Sequence, residues 1–433
     1  MSDLTETPFD MASLQEAFST GASAVDALAE SYRRIAAAND PGIFLHLRPE
    51  HEVLAEARAL PPFEPERYPL WGIPFAIKDN IDLAGTPTTA ACPAFEYAAE
   101  YDAFVVGRLR EAGAIPVGKT NLDQFATGLV GVRTPHPVPR NTLDPEIVPG
   151  GSSSGSAVAV ARGLVSFALG TDTAGSGRVP AAFNNIVGLK PTLGALSASG
   201  VVPACRTLDT ISIFALTVPD AWTAYTASAG YDPHDAFSKD IAVRQLGPAE
   251  PTMRVGVPDE ATRRFFGDRV QERAFEDALA RMAGLGAQIR ELDFTPFYDV
   301  AAMLYEGAWI AERMVAVESF MREQASEMHP VTRQIIGSAD RLSAADAFKG
   351  IYRLAELRRR AEPLMSSVDI LCVPTIPAFY SLADLDADPV TPNSRLGTYT
   401  NFVNLMDLCG IAVPAGLRDD GRPASITLLA RAG

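Results

Sequence analysis

The sequence predicts an α/β protein in which helices flank a layered sheet. Short apolar runs with strand character alternate with longer amphipathic segments along the whole chain, which is the pattern of such sheets. The 433 residues are 47% hydrophobic, enough for a large buried core. No internal repeat interrupts the alternation, so a repeat architecture is not indicated.

The N-terminal segment predicts two helices, one strand and a third helix. Ser13 and Glu16 have the spacing of a capping box, and Gly21 is a typical helix stop. Ser23 and Asp26 repeat the cap before apolar residues at helical spacing. Residues 43–47 then predict a short strand, followed by a helix to about residue 60.

Residues 71–81 have the pattern of a buried strand that contains one lysine, Lys78. Its flanking residues Phe75, Ile77 and Ile81 are apolar, so a buried ammonium is one interpretation. Burial depresses a lysine pKa and leaves a neutral amine that can act as a base. The alternative is an ordinary surface lysine whose head group is solvated.

Two stretches of the sequence match the residue spacing of known catalytic or phosphate-binding motifs but lack the flanking elements that those motifs require. Residues 113–120 have the spacing of a phosphate-binding P-loop, which requires a strand before its first glycine and a loop between its two glycines. Here a helix predicted over 102–112 precedes Gly113, and the apolar residues 114–117 are predicted to form a strand. A P-loop is therefore disfavoured. Residues 151–155 fit a nucleophile elbow, but the preceding segment is too short for a buried strand. With five histidines and none in a suitable context, a Ser-His-Asp triad is disfavoured.

Residues 149–180 contain two Gly/Ser-rich loops, at 150–156 and 170–177, joined by a small-residue helix and an apolar strand. Glycines allow backbone N–H groups to converge, and serines supply hydroxyls. Donors beside an activated hydroxyl are what acyl transfer needs. A flexible linker is the alternative, but a linker would not alternate with apolar segments.

The C-terminal half continues the α/β alternation after a polar, loop-like stretch at 228–250. Strands are predicted at 253–257, 287–294 and 368–373, and helices at 270–285, 298–321, 331–365 and 399–408.

The bulk properties exclude several classes of protein. A net charge of −16 disfavours nucleic acid and anionic membranes as partners, and an anionic substrate would need a local cation. The four cysteines form no CxxC pair, which disfavours a zinc site or disulfide framework and fits the cytoplasm. The first residues lack the pattern of a signal peptide, and no run of 18 apolar residues occurs.

Residues 150–190, followed by Pro191 and Thr192, resemble the amidase signature family. The resemblance implies an α/β/α sandwich with a large mixed central sheet flanked by helices. It also implies one domain over 1–433, comprising an N-terminal helical segment (1–65), a catalytic core (66–220) and a substrate-helix region (221–433). No cofactor or metal is implied.

The family resemblance further implies a Ser–cis-Ser–Lys triad. By motif, Ser176 is the nucleophile, Ser152 the bridging serine and Lys78 the base. The implied oxyanion hole consists of the backbone N–H groups of Thr173, Ala174, Gly175 and Ser176.

Residues 87–97, 175–192 and 200–210 resemble the family members that hydrolyse allophanate, a small anionic amide. That resemblance implies substrate binding by Tyr305 and Arg313, eight residues apart on one helix with Trp309 between them. The alternative for Arg313 is a surface pair with Glu306 or Glu312. A homodimer is expected, and because such enzymes commonly carry a further C-terminal domain, we expect an isolated or truncated amidase domain.

Three rival functions stay open at this stage. One is another amidase that acts on a neutral or lipophilic amide. A second is a component of a glutamine-dependent amidotransferase, which would need a partner protein. A third is a silent binding or scaffold protein, which intact Lys78, Ser152 and Ser176 argue against.

Overall fold

The computed structural model describes residues 3–247 and 252–433. In these ranges the strands are β1 (Phe44–Leu47), β2 (Pro74–Lys78), β3 (Pro87–Thr88), β4 (Tyr97–Ala98), β5 (Ile115–Thr120), β6 (Phe167–Asp172), β7 (Val187–Lys190), β8 (Thr210–Ala215), β9 (Arg254–Pro258), β10 (Gln288–Leu292), β11 (Ile370–Pro374), β12 (Leu408–Leu417) and β13 (Pro423–Arg431).

The helices cover both faces of the sheet. They are α1 (Met11–Ser19), α2 (Ala24–Ala38), α3 (Glu50–Arg58), α4 (Phe104–Glu111), α5 (Ser154–Ala161), α6 (Val179–Phe183), α7 (Val218–Ser228), α8 (Arg269–Gly284), α9 (Thr295–Glu306), α10 (Ala308–Gln324), α11 (Pro330–Gly337), α12 (Ala344–Ser366), α13 (Leu382–Ala387), α14 (Thr391–Leu396) and α15 (Asn401–Leu405). Short 3₁₀ turns lie at Pro93–Phe95, Gln124–Ala126, Ala325–Glu327 and Ser338–Arg341.

One large mixed sheet organises the molecule, which confirms the predicted fold class. Its eleven strands follow the order β1-β5-β2-β6-β8-β7-β12-β13-β11-β9-β10, and β3 and β4 form a separate ribbon. Strand β2 is parallel to both β5 and β6, whereas β6 is antiparallel to β8. Strands β2 and β6 are therefore neighbours, and the two Gly/Ser-rich loops lie close to β6 in the chain.

Strand β2 shows how the core is divided between the two faces. Neighbouring side chains alternate across a strand, and Phe75 packs on one face, where its ring stacks on Phe167 at 5.0 Å. Ala76 lies on the other face with Ala157 and Val158 of α5. Lys78 shares the face of Ala76, so its side chain points toward the loop that precedes α5.

Residues 115–120 form strand β5, between β1 and β2 in the sheet, rather than a P-loop, as the sequence indicated. A Cβ added at Gly118 would lie 2.5 Å from the His46 carbonyl oxygen, so this glycine permits the close approach of β1. The next residue, Lys119, is buried and pairs with Asp79 at 3.2 Å. That lysine is therefore neutralised inside the fold and is not presented to a phosphate.

Three helix predictions need correction. Helix α1 begins after Asp10, whose carboxylate accepts the Ser13 N–H at 2.9 Å, so Ser13 is not the cap. The helix predicted over 298–321 is broken at Gly307, which separates α9 from α10; glycine is about 1 kcal/mol less favourable than alanine inside a helix. The helix predicted over 331–365 is broken before Ser343, because that residue caps α12 with a capping box.

Where the structure describes it, the polar stretch in the C-terminal half is loop-like, as its composition indicated. The described part of the polar stretch, 229–247, contains no helix or strand, and positions 248–250 lie outside the described residues. Among the described residues, no helix is long and apolar enough to cross a membrane. The four cysteines are free thiols.

Candidate active site

Lys78 ends strand β2 inside the protein, with 0% of its side chain exposed. Its Nζ lies 2.7 Å from the Ser152 Oγ and 2.8 Å from the Thr171 Oγ1. Burial lowers the pKa of Lys78 from 10.5 to about 7, although the charges of Asp123, Asp209 and Asp172 oppose that shift. A substantial fraction of this lysine is therefore an uncharged amine at neutral pH.

Ser152 lies two residues before α5, at the end of a cis peptide bond from Gly151. Backbone contacts fix this turn: the Gly151 N–H donates to the Leu129 carbonyl at 2.8 Å, and the Ser152 carbonyl accepts from Asp123 at 3.0 Å. The Ser152 hydroxyl is buried and faces the Lys78 amine. The structure thus joins two of the three residues assigned by motif.

Ser176 lies in the loop between β6 and α6. Its Oγ donates a long hydrogen bond of 3.4 Å to the carbonyl of Gly128 and makes none to Ser152. Since Gly128 adjoins Leu129, which accepts from Gly151, the loops that carry the two serines both contact this short segment. The final step of the relay is therefore not formed; catalytic hydrogen bonds are often long before substrate binds.

A buried ion pair holds the Ser176 loop against β6. Arg178 donates to both oxygens of Asp172, at 2.9 and 3.0 Å, and neither side chain is exposed. Gly177 N–H also donates to Asp172, and Asn404 of α15 donates to its backbone carbonyl at 2.8 Å. Sequence reasoning missed this pair, although a carboxylate and an arginine flanking the second Gly/Ser-rich loop were visible.

The four predicted oxyanion-hole N–H groups, those of 173–176, donate to no protein atom among the described residues. A Cβ at Gly175, whose φ is +148°, would lie 2.5 Å from the Thr400 Oγ1, so only glycine fits there. Thr173 is fixed by a short hydrogen bond from its hydroxyl to Asp209. Burial raises the pKa of Asp209 to about 6, against the lowering effect of that hydrogen bond.

Tyr305 and Arg313 do not share one helix, which corrects the sequence prediction. Tyr305 lies near the end of α9 and Arg313 lies on α10, beyond the break at Gly307. The two side chains nevertheless meet, because the guanidinium carbon lies 5.2 Å from the centre of the Tyr305 ring. The turn between α9 and α10 therefore brings the side chains of Tyr305 and Arg313 into contact, as a single helix was expected to do.

Arg313 is 1% exposed and does not form the surface pair considered as its alternative. The carboxylate of Glu312 instead accepts from the backbone and hydroxyl of Thr207. Arg313 Nη1 donates to the Thr127 Oγ1 at 3.3 Å, whereas its Nε and Nη2 have no hydrogen-bond partner. A buried cation with free donors therefore lies against Thr127, the residue before Gly128.

Two further residues of the site were not predicted from the sequence. Thr171 accepts from Lys78 together with Ser152, and Arg133 is a second buried arginine near Arg313. Thr171 follows Gly170 at the end of an apolar strand and could have been noticed. Arg133 follows the apolar residues 129–132 and precedes a proline-rich loop, a pattern that does not by itself predict a buried arginine. Within the described part of the chain, no cluster of three His, Cys, Asp or Glu side chains could hold a metal ion.

A mixed α/β sheet that presents a buried lysine and two serines defines a class of enzymes that cleave amide C–N bonds. The chain belongs to the amidase family, whose model matches residues 26–433.

Urea amidolyase from Saccharomyces cerevisiae is 47% identical over 369 residues, which cover 84% of this chain and 20% of that protein. The structure of Kluyveromyces lactis allophanate hydrolase matches with a TM-score of 0.91 at 40% identity, covering 98% of this chain and 70% of that one. The structure of a glutamyl-tRNA(Gln) amidotransferase component from Thermotoga maritima matches with a TM-score of 0.78 at 31% identity, covering 94% and 87%. The chain spans about a fifth of the length of the urea amidolyases that it matches.

Proposed function

We propose that this chain hydrolyses the terminal amide of allophanate through an acyl-enzyme. The identity to urea amidolyase and the likeness to K. lactis allophanate hydrolase support this substrate. The products are ammonia and N-carboxycarbamate, which breaks down to carbon dioxide and more ammonia.

In the proposed mechanism the neutral Lys78 amine accepts a proton from Ser152, which accepts one from Ser176. Ser176 Oγ then attacks the amide carbonyl, and the free N–H groups of 173–176 stabilise the oxyanion. The proton returns through Ser152 to the departing ammonia. Water, activated by the same relay, releases the acyl group as a carboxylate.

One observation carries the choice of an anionic substrate: Arg313 is a buried cation with two unpaired donor groups close to Ser176. The path from one to the other is short, because Arg313 contacts Thr127 and the next residue, Gly128, accepts from Ser176. Leaving a buried cation unpaired costs several kcal/mol, which a bound carboxylate can offset with charge-assisted hydrogen bonds. This cation also resolves how a chain of net charge −16 attracts an anion.

Tyr305, which is partly exposed, supports the binding of the substrate carboxylate by Arg313. Its ring faces the Arg313 guanidinium, which is a cation–π arrangement. The ring limits the directions in which the guanidinium can turn. We therefore assign Tyr305 to orient Arg313 and to line the substrate site.

The test is an ammonia-release assay with allophanate, malonamate, malonamide, biuret and glutamine on the full chain. Malonamate replaces the central NH of allophanate by CH₂ and keeps the carboxylate, whereas malonamide is neutral. We expect allophanate and malonamate to be preferred. Turnover of glutamine in place of allophanate would instead support the amidotransferase-type function.

Arg313→Ala should raise the KM for allophanate by roughly 100-fold or more, because two charge-assisted hydrogen bonds at about 1.5–3 kcal/mol each are worth about 3–6 kcal/mol. The preference for malonamate over malonamide should disappear with it. Arg322→Ala is the matched control, since Arg322 lies on the same helix, is exposed and pairs with Glu318. An unchanged KM in Arg313→Ala would contradict the assignment.

Three further proposals rest on the family resemblance and not on the site. The chain is proposed to act as one domain over 1–433, as a homodimer and in the cytoplasm, where its free thiols would stay reduced. Sedimentation of the purified chain tests the dimer, and fractionation of cells that express it tests the location.

A further inference from the structure

A second buried guanidinium, that of Arg133, contacts the same residue as Arg313. Arg133 is 2% exposed, and its Nη1 and Nη2 donate to the carbonyls of Thr127 and Pro389, both at 3.0 Å. Its Nε has no partner. Thr127 therefore lies between two arginines, with its carbonyl facing one and its hydroxyl facing the other.

Neither guanidinium forms an ion pair within 4.0 Å among the described residues. The nearby Asp123 carboxylate is occupied by the backbone N–H groups of Gly131 and Arg133, each at 2.9 Å. Burial lowers the pKa of Arg133 and the charge of Arg313 lowers it further, while Asp123 opposes both effects. Arginine still stays protonated at neutral pH, so two positive charges are buried side by side.

The peptide unit between Thr127 and Gly128 connects Arg133 to the site. Its carbonyl accepts from Arg133, while the Gly128 N–H donates to no protein atom among the described residues. A hydrogen bond to the carbonyl of an amide polarises it and strengthens the donor at its other end. The Gly128 carbonyl in turn accepts from Ser176, so this polarised segment lies beside the reacting hydroxyl.

The proposed reaction creates one more negative charge than its substrate carries. Allophanate has one carboxylate, H₂N–CO–NH–COO⁻, and water converts it to ⁻OOC–NH–COO⁻ and NH₄⁺. The C–N bond to the terminal nitrogen breaks, a C–O bond forms, and the leaving nitrogen takes the proton of the new acid and that of Ser176. The charge of Arg313 matches the carboxylate of the substrate. The charge of Arg133 has no matching negative charge until hydrolysis creates the second carboxylate.

We propose that Arg133 is a positioning residue that acts through the Thr127–Gly128 peptide to make the site favour a dianion, the charge state of the hydrolysed product. This inference rests on the proposed function and adds to it a preference that Arg313 alone does not give. In this proposal Arg133 does not touch the ligand; it anchors and polarises the Thr127–Gly128 peptide, whose unpaired Gly128 N–H would donate to the ligand.

The experiment measures binding by calorimetry to the full chain carrying Ser176→Ala, which prevents turnover. Malonate, a dianion with the shape of the product, is compared with malonamate, the matching monoanion. The parent should bind malonate at least tenfold more tightly than malonamate. Adding Arg133→Met should weaken malonate at least tenfold and malonamate less than threefold, while Arg133→Lys, which keeps the charge, should retain most of the preference.

Each outcome decides the proposal. If the parent binds malonate no more tightly than malonamate, the inference is wrong, and this result needs no Arg133 variant to fold. Equal weakening of both ligands by Arg133→Met would assign Arg133 a purely structural role and also overturn it. Arg313→Ala separates the two ideas: if that change affects neither ligand, the proposed function fails as well, whereas loss of both ligands with no effect of Arg133 refutes this inference alone.

Discussion

Replacing Lys78 with methionine should give a protein that is inactive yet more stable than the parent at neutral pH. Lys78 has a pKa of about 7 in the fold, against 10.5 without burial. A difference of that size corresponds to about 4–5 kcal/mol of free energy of unfolding at about 1.4 kcal/mol per pKa unit. The buried hydroxyls of Ser152 and Thr171 lose a partner, which costs about 1–3 kcal/mol, so a net gain of about 1–4 kcal/mol is expected.

The gain should depend on pH in a defined direction. Between about pH 7 and pH 10.5 the unfolded chain holds a proton on Lys78 that the folded chain has released. The stability contributed by this group therefore rises with pH through that window. The methionine variant lacks this dependence, so its advantage should be greatest at or below about pH 7 and should shrink as the pH rises. Near pH 10.5 it should be the less stable protein, because only the loss of the hydrogen bonds remains there.

Guanidinium unfolding of both proteins at pH 6.5, 8 and 10, together with ammonia release from allophanate, measures both effects. Lys190→Met is the matched control, because Lys190 is also buried, has a pKa lowered to about 8 and lies outside the site. The control should keep most of its turnover. A Lys78→Met protein that is less stable at pH 6.5, or whose difference in stability does not change with pH, would refute the reasoning.

Two further predictions concern the same region. The kcat/KM for allophanate should fall about tenfold per pH unit below about pH 7, because protonation of Lys78 removes the base; a flat profile from pH 5 to pH 8 would contradict this. Arg178→Met should lower the free energy of unfolding by about 3–5 kcal/mol, because it leaves the Asp172 carboxylate buried without its partner. Thermal unfolding measures that loss, and an unchanged Tm would show that the ion pair does not stabilise the Ser176 loop.

Local signals in the sequence were sufficient for the parts of the site that depend on local structure. Apolar neighbours on both sides of Lys78 made a buried amine one of two open interpretations, and the structure places this side chain at 0% exposure. Small residues between two glycine-rich loops predict α5 and β6. These features follow from propensity and periodicity, which act within a few residues.

The remaining parts depend on contacts that are distant in sequence. Arg133 is buried because it donates to Pro389, 256 residues away, and nothing near it indicates that partner. The break at Gly307 was missed because the residues around it keep an amphipathic pattern, while the turn itself is set by packing. The order of the eleven strands likewise follows from pairing between remote segments.

The pairing of β2 with β6 determines when the folding chain can become catalytically active. Lys78 comes from one of these strands, Ser176 follows the other, and Ser152 precedes the helix between them. No single stretch of polypeptide can assemble an activated hydroxyl by itself. During refolding, amidase activity should therefore appear only once β2 and β6 have paired. A partly folded chain should not hydrolyse amides.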